Sequence, residues 1–179
     1  ANILDGGEGS DTVDYSYVTG AASGFTVTLD SEGTVTVTVA PGSDIDTLVG
    51  IENIYGGGGD DVLVGDGAVN SIFGGSFNDV LDGGGEDDLL SGGAGDDTLV
   101  GGFGSDVLEG GDNIAPGHDV VDYALDPSAG AGISLVRITG TEVLSVLVGV
   151  EQDSLVAVEE VRGGNGDDTL SMWDALHAD

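Results

Sequence analysis

The sequence predicts an all-β fold in which short parallel strands stack into a roll. Two observations predict it. Nine-residue blocks that begin with a glycine follow one another without interruption from residue 56 to residue 109. The eighth residue of every block is leucine or isoleucine, so each block offers one large side chain for burial. A strand with one buried residue is not stable alone, and such units must therefore stack on one another.

The composition excludes several classes of function. The chain of 179 residues carries 34 acidic residues against two cations, Arg137 and Arg162, for a net charge of -32. Nucleic acid and anionic membranes are excluded as partners, because binding them requires many cations, and no apolar run is long enough for membrane insertion. Disordered acidic chains are poor in apolar residues, whereas 39% of this chain is hydrophobic. The charge therefore calls for a counterion that is part of the structure.

Each position of the block has a structural role. Glycines at positions one, two and four predict a tight turn, since glycine adopts positive φ angles without steric cost. Positions seven to nine predict a very short strand with one inward side chain, and the first six positions predict a turn. The tandem blocks are 56–64, 65–73, 74–82, 83–91, 92–100 and 101–109, with isolated copies at 6–14 and 163–171 and a split copy at 110–122.

The sixth positions predict a metal site. If two blocks complete one coil, every second turn lies on the same edge, and carboxylates stack at the strand spacing of about 4.8 Å. Such columns repel unless a divalent ion lies between successive turns. Two carboxylates and several turn carbonyls make an oxygen cage of about 6 to 8 ligands, which is typical of calcium and fits magnesium worse. The columns are Asp61, Asp79 and Asp97 on one edge, and Asn70, Asp88 and Asp106 on the other.

The pattern GGxGxD, followed by one variable residue, a large aliphatic residue and another variable residue, resembles the nonapeptide of the RTX family. That family includes haemolysin-type toxins, serralysin-type metalloproteases, alginate epimerases and many adhesins. The resemblance implies a calcium-bound parallel β-roll with two nonapeptides per coil. It also implies type I secretion from a Gram-negative bacterium and folding triggered by calcium outside the cell. The implied partners are several calcium ions, further RTX modules of the same chain and the type I secretion machinery.

The resemblance also implies which residues bind the ions. Each ion would lie between a turn and the second turn after it. The implied pairs are Asp61 with Asp79, Asp79 with Asp97, Asn70 with Asp88, and Asp88 with Asp106. Asp11 and Asp168 hold the sixth position in the isolated copies. The turn carbonyls implied as further ligands are those of Gly57, Gly59, Gly74, Gly75, Ser76, Gly83, Gly85, Gly92, Ala94, Gly101 and Phe103.

Two blocks depart from the pattern in ways that affect the expected sites. Asn70 supplies a neutral oxygen, and its block has Asp66 in place of the second glycine, so its site is expected to be weaker. An insertion at 113–116 leaves open whether Asp119 still reaches an ion beside Asp97.

Four other positions have two open interpretations each. Phe77 and Glu86 occupy the fourth position of their blocks, where glycine is usual, so their turns are either distorted or use a different carbonyl geometry. Glu52 and Glu159 precede Asp61 and Asp168 by the length of one block. They are therefore either additional ligands in the register of the sixth position or solvated glutamates at a strand edge.

Residues between the repeats predict strand-rich inserts. Alternation over 24–30 and 33–40 predicts a β-hairpin, and residues 131–148 predict a second pair of strands. The segments 51–63 and 158–170 correspond at an offset of 107, which indicates a duplicated unit. The predicted organisation is the end of a preceding roll over 1–14, an insert over 15–50, a calcium-binding roll over 51–122, a second insert over 123–157, and the start of a further roll over 158–179.

The sequence predicts no catalytic centre in this segment. HExxH and GxSxG are absent, and no lysine follows the glycine runs as it does in a phosphate-binding loop. His118 is predicted to fill a variable turn position. The aromatic residues Tyr15, Tyr17, Tyr123 and Trp173 either form a sugar-stacking surface or close the open ends of the roll.

The predicted function is calcium-dependent folding and stabilisation within a secreted or cell-surface protein. The chain begins at Ala1 without a methionine, which indicates a fragment of a longer protein. Three roles are open for that protein. It is a spacer in an adhesin or surface-layer protein, or a type I secreted enzyme with a non-catalytic RTX region, or a protein that binds extracellular polysaccharide through this module. The duplicated unit favours the spacer. Adaptation to high salt would explain the surface acids, but not their nine-residue spacing.

Overall fold

The computed structural model describes residues 2–19, 24–30, 34–39, 44–111, 118–125, 133–137, 143–148, 151–164 and 169–171, and the regular structure within them is β-strand. No helix in these residues is long and apolar enough to cross a membrane. The strands are β1 (Asn2–Asp5), β2 (Thr12–Asp14), β3 (Thr26–Thr28), β4 (Thr34–Val39), β5 (Asp44–Val49), β6 (Asn53–Gly58), β7 (Val62–Val64), β8 (Ser71–Ser76), β9 (Val80–Gly85), β10 (Leu89–Ala94), β11 (Thr98–Phe103), β12 (Val107–Gly111), β13 (Val120–Asp122), β14 (Ile133–Arg137), β15 (Val143–Val148), β16 (Glu151–Val156), β17 (Glu160–Arg162) and β18 (Thr169–Ser171).

Two sheets of parallel strands form the roll, and the chain alternates between them. One sheet contains β2, β6, β8, β10 and β12, and the other contains β3, β7, β9, β11, β13 and β17. Leu90 lies opposite Ile72 and Leu108 in the first sheet, and Leu81 lies opposite Leu99 in the second. Each strand therefore pairs with the strand two blocks away. The predicted parallel β-roll with two nonapeptides per coil is confirmed.

The eighth residues of the blocks form the core between the two sheets. All six are fully buried, and each contributes about 1.5 to 3 kcal/mol of transfer free energy. They are Leu63, Ile72, Leu81, Leu90, Leu99 and Leu108. The large aliphatic residue every nine positions therefore fills the interior of the roll, as predicted.

The strands are longer than the sequence suggested. β9 and its neighbours in the tandem blocks run for six residues, into the glycines of the next block. Gly84, for example, lies opposite Gly102 in the ladder. The predicted six-residue turn is therefore wrong, because the glycine backbone also pairs across coils and only positions four to six remain as the turn.

The predicted hairpin over 24–40 is also wrong. β3 pairs in parallel with β7, with Val27 opposite Leu63, whereas β4 pairs antiparallel with β5. An alternating pattern predicts one buried face but does not identify the partner strand. Val27 is fully buried, so β3 extends the row of core residues in the second sheet. Residues 31–33, the predicted turn, lie outside the described residues.

The second insert follows its prediction and also joins the roll. β14 and β15 are antiparallel, as expected for residues 131–148. β15 is antiparallel to β16. β16 in turn pairs in parallel with β12, with Leu155 opposite Leu108. The first sheet therefore continues into the insert without a break in the row of buried leucines.

The internal duplication is visible in the strand pairings. β2 pairs with β6 as β13 pairs with β17, and β3 pairs with β7 as β14 pairs with β18. The parallel pair β1 and β5 corresponds to β12 and β16. The domain boundaries that the sequence suggested remain predictions.

Candidate metal centres

The sixth residues on one edge form the first column, which consists of Asp61, Asp79, Asp97 and Asp119. The backbone N–H of Asp61 donates to Oδ1 of Asp79 at 2.8 Å, and the N–H of Asp79 donates to Oδ1 of Asp97 at 2.8 Å. The N–H of Asp97 donates to Oδ1 of Asp119 at 2.9 Å. Asp119 therefore stacks on Asp97 despite the insertion between them.

The other edge carries the second column, which consists of Asn70, Asp88, Asp106 and Asp153. The N–H of Asn70 donates to Oδ1 of Asp88 at 2.8 Å, and the N–H of Asp88 donates to Oδ1 of Asp106 at 2.8 Å. The N–H of Asp106 donates to Oδ1 of Asp153 at 3.0 Å. Asp153 was not predicted, because the insert places it in the column without a preceding glycine pair.

The second carboxylate oxygen of several column residues has no protein partner. The Oδ2 atoms of Asp79, Asp88 and Asp97 are buried and accept no hydrogen bond from any residue that the structure describes. These side chains are at most 3% exposed. A buried charged oxygen without a partner is strongly destabilising. These atoms therefore indicate where a cation is needed.

Turn carbonyls face the same spaces as the carboxylates. A Cβ added at Gly74 would meet both Oδ2 of Asp79 and the carbonyl oxygen of Gly92. The same arrangement recurs one block later, where a Cβ at Gly83 would meet Oδ2 of Asp88 and the Gly101 carbonyl. The first glycine of the block is therefore required, because any side chain there would collide with a carboxylate oxygen and a carbonyl oxygen.

The predicted carbonyl ligands do not all occupy equivalent places. The carbonyl oxygens of Gly74, Gly92 and Gly101 lie near a column carboxylate, and that of Gly83 lies near the amide oxygen of Asn70. Those of Gly57 and Gly75 instead lie against the glycine one coil further along. The Ala94 carbonyl accepts the N–H of Phe77 at 2.7 Å. The ligand roles of Gly59, Ser76, Gly85 and Phe103 remain predictions.

Burial raises the pKa of four of the column carboxyls, namely Asp61, Asp79, Asp88 and Asp97. It raises the pKa of Asp79 to about 8 and that of Asp88 to about 7, with neighbouring carboxylates adding to the shift. The pKa values of Asp61 and Asp97 rise to about 6 for the same main reason. At an effective dielectric constant of about 20, two unit charges about 5 Å apart repel by about 3 kcal/mol. The charged columns are therefore unfavourable without a counterion.

The ligand atoms available in the columns are of the chemical type that calcium prefers. They are carboxylate and carbonyl oxygens, the ligands that this ion prefers. Among the described residues, no three Asp, Glu, His or Cys side chains form a group that could hold a metal. Because each coil adds one carboxylate to a column, the side chains alone cannot complete a cage. Any ion held here, such as one between Asp79 and Asp97, therefore depends on turn carbonyls for much of its coordination.

Glutamates continue both columns at their ends. Oε2 of Glu52 accepts the N–H of Asp11 at 2.8 Å, and Oε2 of Glu159 accepts the N–H of Asp119 at 2.9 Å. Both therefore hold the hydrogen-bonding position of a column aspartate, in the register of the sixth position, and their role as calcium ligands remains a prediction. Oδ2 of Asp11 is buried and has no hydrogen-bond partner among the described residues. Asp168 lies outside the described residues.

Non-glycine residues at position four keep the turn conformation. Phe77 and Glu86 have φ angles of 79° and 64°, in the region that glycine usually occupies. Gly95 and Gly104, at the same position of later blocks, also have positive φ. These two turns are therefore formed with backbone strain, which costs about 1 to 3 kcal/mol per residue.

Two of the tyrosines are structural. Tyr15 and Tyr123 are each 1% exposed, whereas Tyr17 is 74% exposed. The hydroxyl of Tyr123 donates to Oδ2 of Asp153 at 2.6 Å. Burial and the neighbouring Asp46 carboxylate raise the pKa of Tyr15 above its ordinary value. Tyr15 and Tyr123 therefore lie in the core and offer no sugar-stacking surface, and Trp173 is outside the described residues.

His118 lies just before β13 and belongs to a surface cluster with residues of β17. Its Nε2 lies 2.7 Å from Oε2 of Glu160, and Nε of Arg162 donates to Oε1 of Glu160 at 2.7 Å. The hydrogen bond to Glu160 raises the pKa of His118. The N–H of His118 donates to Oδ1 of Asp96, so the residue also lies in the turn register, as predicted. Exposed pairs of this kind contribute little stability.

Comparison with known proteins identifies the repeat. The model of a family described as the RTX calcium-binding nonapeptide repeat (4 copies) matches residues 1–15, 46–81, 82–113 and 159–171. These segments make up just over half of the chain. No curated protein matches the sequence. The matched segments contain the first three residues of each column, but neither Asp119 nor Asp153.

Proposed function

The chain belongs to the RTX calcium-binding nonapeptide repeat family, and on that premise we propose that it folds on binding calcium outside the cell and acts as a structural module of an adhesin or surface-layer protein. It is a calcium-binding β-roll.

The main support for coupling between calcium binding and folding is that the buried Oδ2 atoms of Asp79, Asp88 and Asp97 have no hydrogen-bond partner among the described residues. Without a cation, the folded chain must bury these charged oxygens or protonate them. Calcium removes that cost only in the folded state, because the turns that supply the carbonyls exist only there. Binding free energy then becomes folding free energy, as in other metal-dependent domains.

The duplicated unit supports a structural role. The second insert places Asp153 on Asp106 and Leu155 beside Leu108, so both the column and the core pass from the roll into the insert. Such continuity allows rolls and inserts to follow one another along a chain, as an extended spacer requires. The segment would then act without a catalytic centre of its own.

A polysaccharide-binding module and the non-catalytic region of a secreted enzyme are the two alternative roles. A polysaccharide-binding module would need exposed aromatic rings. Tyr17 is exposed, as are Tyr55, Phe77 and Phe103, but Tyr123 is buried and hydrogen-bonded, so the surface of tyrosines that the sequence suggested is not formed as a whole. The non-catalytic RTX region of a type I secreted enzyme would use the same calcium chemistry. Neighbouring sequence would distinguish it from a spacer, since a spacer predicts further copies of the duplicated unit.

A calcium titration followed by far-UV circular dichroism tests the proposal. The expected result is a cooperative change from coil to β-structure with calcium, and a much weaker response to magnesium at equal ionic strength. Reversal with a chelator would show that the change is an equilibrium. A chain that is already folded without calcium, or that folds equally well with magnesium, would contradict the proposed coupling.

A further inference from the structure

Asn70 hydrogen-bonds in a way that differs from the aspartates of its column. We propose that the step between Glu52 and Asn70 holds no calcium, because the Asn70 amide group takes the place of the cation. The proposal rests on the calcium-dependent function above and limits where in the second column calcium binds. On the Glu52 side of Asn70, protein hydrogen bonds alone would then connect the column to the preceding coil.

Both side-chain atoms of Asn70 are engaged. Oδ1 accepts the N–H of Asp66 at 2.8 Å, and Nδ2 donates to the carbonyl oxygen of Glu52 at 2.8 Å. The side chain is 1% exposed. The orientation of the amide is fixed by chemistry, since the Asp66 N–H needs an acceptor and the Glu52 carbonyl needs a donor. The reversed amide would oppose two donors on one side and two acceptors on the other.

The regular steps of the columns are different. Oδ1 of Asp79 accepts the N–H of Asp61 from the preceding coil, and Oδ2 of Asp79 has no hydrogen-bond partner in the described residues. The N–H of Glu52 is not available to Asn70 in this way, because it donates to the carbonyl of Asp11 at 3.2 Å. At a regular step, an aspartate oxygen accepts a backbone N–H from the preceding coil. At this step the side chain of residue 70 meets the Glu52 carbonyl oxygen instead, which requires a donor such as the Asn70 amide.

The carboxylates of Glu52 and Asp66 at this step each accept a backbone hydrogen bond, and unlike the column aspartates they are only partly buried. Oε2 of Glu52 accepts the N–H of Asp11, and Oδ1 of Asp66 accepts the N–H of Ala68 at 2.9 Å. A cation placed between Glu52 and Asn70 would face the amide hydrogens of Nδ2. The residues present therefore do not fit a calcium ion here, although they fit one between later coils.

The substitution Asn70→Asp tests the proposal by restoring the usual ligand. We expect the calcium-saturated variant to bind one more ion than the wild type, counted by native mass spectrometry or by equilibrium dialysis with atomic absorption. The reverse substitution Asp88→Asn, at the next turn of the same column, is the matched control and should bind one ion fewer. An unchanged count in a folded Asn70→Asp variant would overturn the proposal.

A second measurement on the wild type does not depend on whether the variant folds. In the calcium-saturated protein, NMR should show a scalar coupling across the hydrogen bond from Asn70 Nδ2 to the Glu52 carbonyl, with slow exchange of the amide protons. An Asn70 amide that exchanges as fast as a free asparagine would overturn the proposal. A wild type that binds no calcium at all would instead refute the proposed function, so the two failures are distinguishable.

Discussion

The Tyr123 hydroxyl donates a 2.6 Å hydrogen bond to Oδ2 of Asp153, and both side chains are buried. Oδ1 of the same carboxylate accepts the N–H of Asp106, as in every regular step of the column. At this end of the second column, the Tyr123 hydroxyl therefore hydrogen-bonds to Oδ2 of Asp153, whereas the equivalent Oδ2 of Asp88 has no hydrogen-bond partner among the described residues.

Removal of that hydroxyl should destabilise the calcium-loaded protein. Hydrogen bonds to charged groups contribute about 1.5 to 3 kcal/mol, so we expect Tyr123→Phe to lower the free energy of unfolding by about that amount in a urea titration. Tyr17→Phe is the matched control, because Tyr17 is exposed, and should change the value by less than about 0.5 kcal/mol. Equal effects of the two changes would show that the buried hydrogen bond is not important.

Neighbouring aspartates should differ sharply in their effect on calcium. Asp97 is buried in the first column, whereas Asp96 is exposed and accepts the N–H of His118. We expect Asp97→Asn to weaken calcium binding at least about tenfold, which corresponds to about 1.4 kcal/mol, because it removes a charged ligand. Asp96→Asn should leave the affinity nearly unchanged. Isothermal titration calorimetry measures both, and similar losses would argue for a general effect of surface charge.

The metal-free chain should gain structure as the pH falls. The pKa values of Asp61, Asp79, Asp88 and Asp97 are raised from an ordinary 3.8 to between about 6 and 8 in the folded state. The folded chain therefore binds protons more tightly than the unfolded chain, so this contribution to stability is present near pH 4 and is lost as the pH rises through about 6 to 8. Far-UV circular dichroism of chain dialysed free of calcium tests this, and greater folding at pH 8 would contradict it.

Alanine should be strongly destabilising at Gly93 and tolerated at Gly67. Gly93 has a φ angle of 108°, and an added Cβ would meet the Gly75 backbone. We expect Gly93→Ala to cost at least about 2 kcal/mol, since strain of this kind costs about 1 to 3 kcal/mol before any clash. At Gly67 an added Cβ would meet no described atom within 4 Å. Chemical unfolding of both variants in calcium should therefore show a large loss only for Gly93→Ala.

Much of the roll could be predicted because its period determines its geometry. A nine-residue repeat with one large aliphatic residue specifies the buried row, and two blocks per coil align Asp61, Asp79 and Asp97 on one edge. The strand partners of the first insert could not be predicted. The pattern of β3 shows which face is buried, but not that it pairs with β7 rather than β4.

The place of Asp153 in the second column was missed for a related reason. No glycine pair precedes it, so the nonapeptide pattern does not extend to it. The duplication held a signal that could have found it. Asp46 and Asp153 hold corresponding places in the two copies of the duplicated unit, and each is followed by a hydroxyl residue, leucine and valine. Tyr15 and Tyr123 correspond in the same way, each following a valine and an aspartate.

Anomalous diffraction from crystals grown with calcium would locate each ion and so show whether the aspartate columns hold calcium. We expect peaks along both columns, beside the Oδ2 atoms of Asp79, Asp88 and Asp97, and no peak between Glu52 and Asn70. Columns without calcium peaks, in a chain that is folded as described, would contradict the account. The aspartate spacing would then serve the stacking of coils alone.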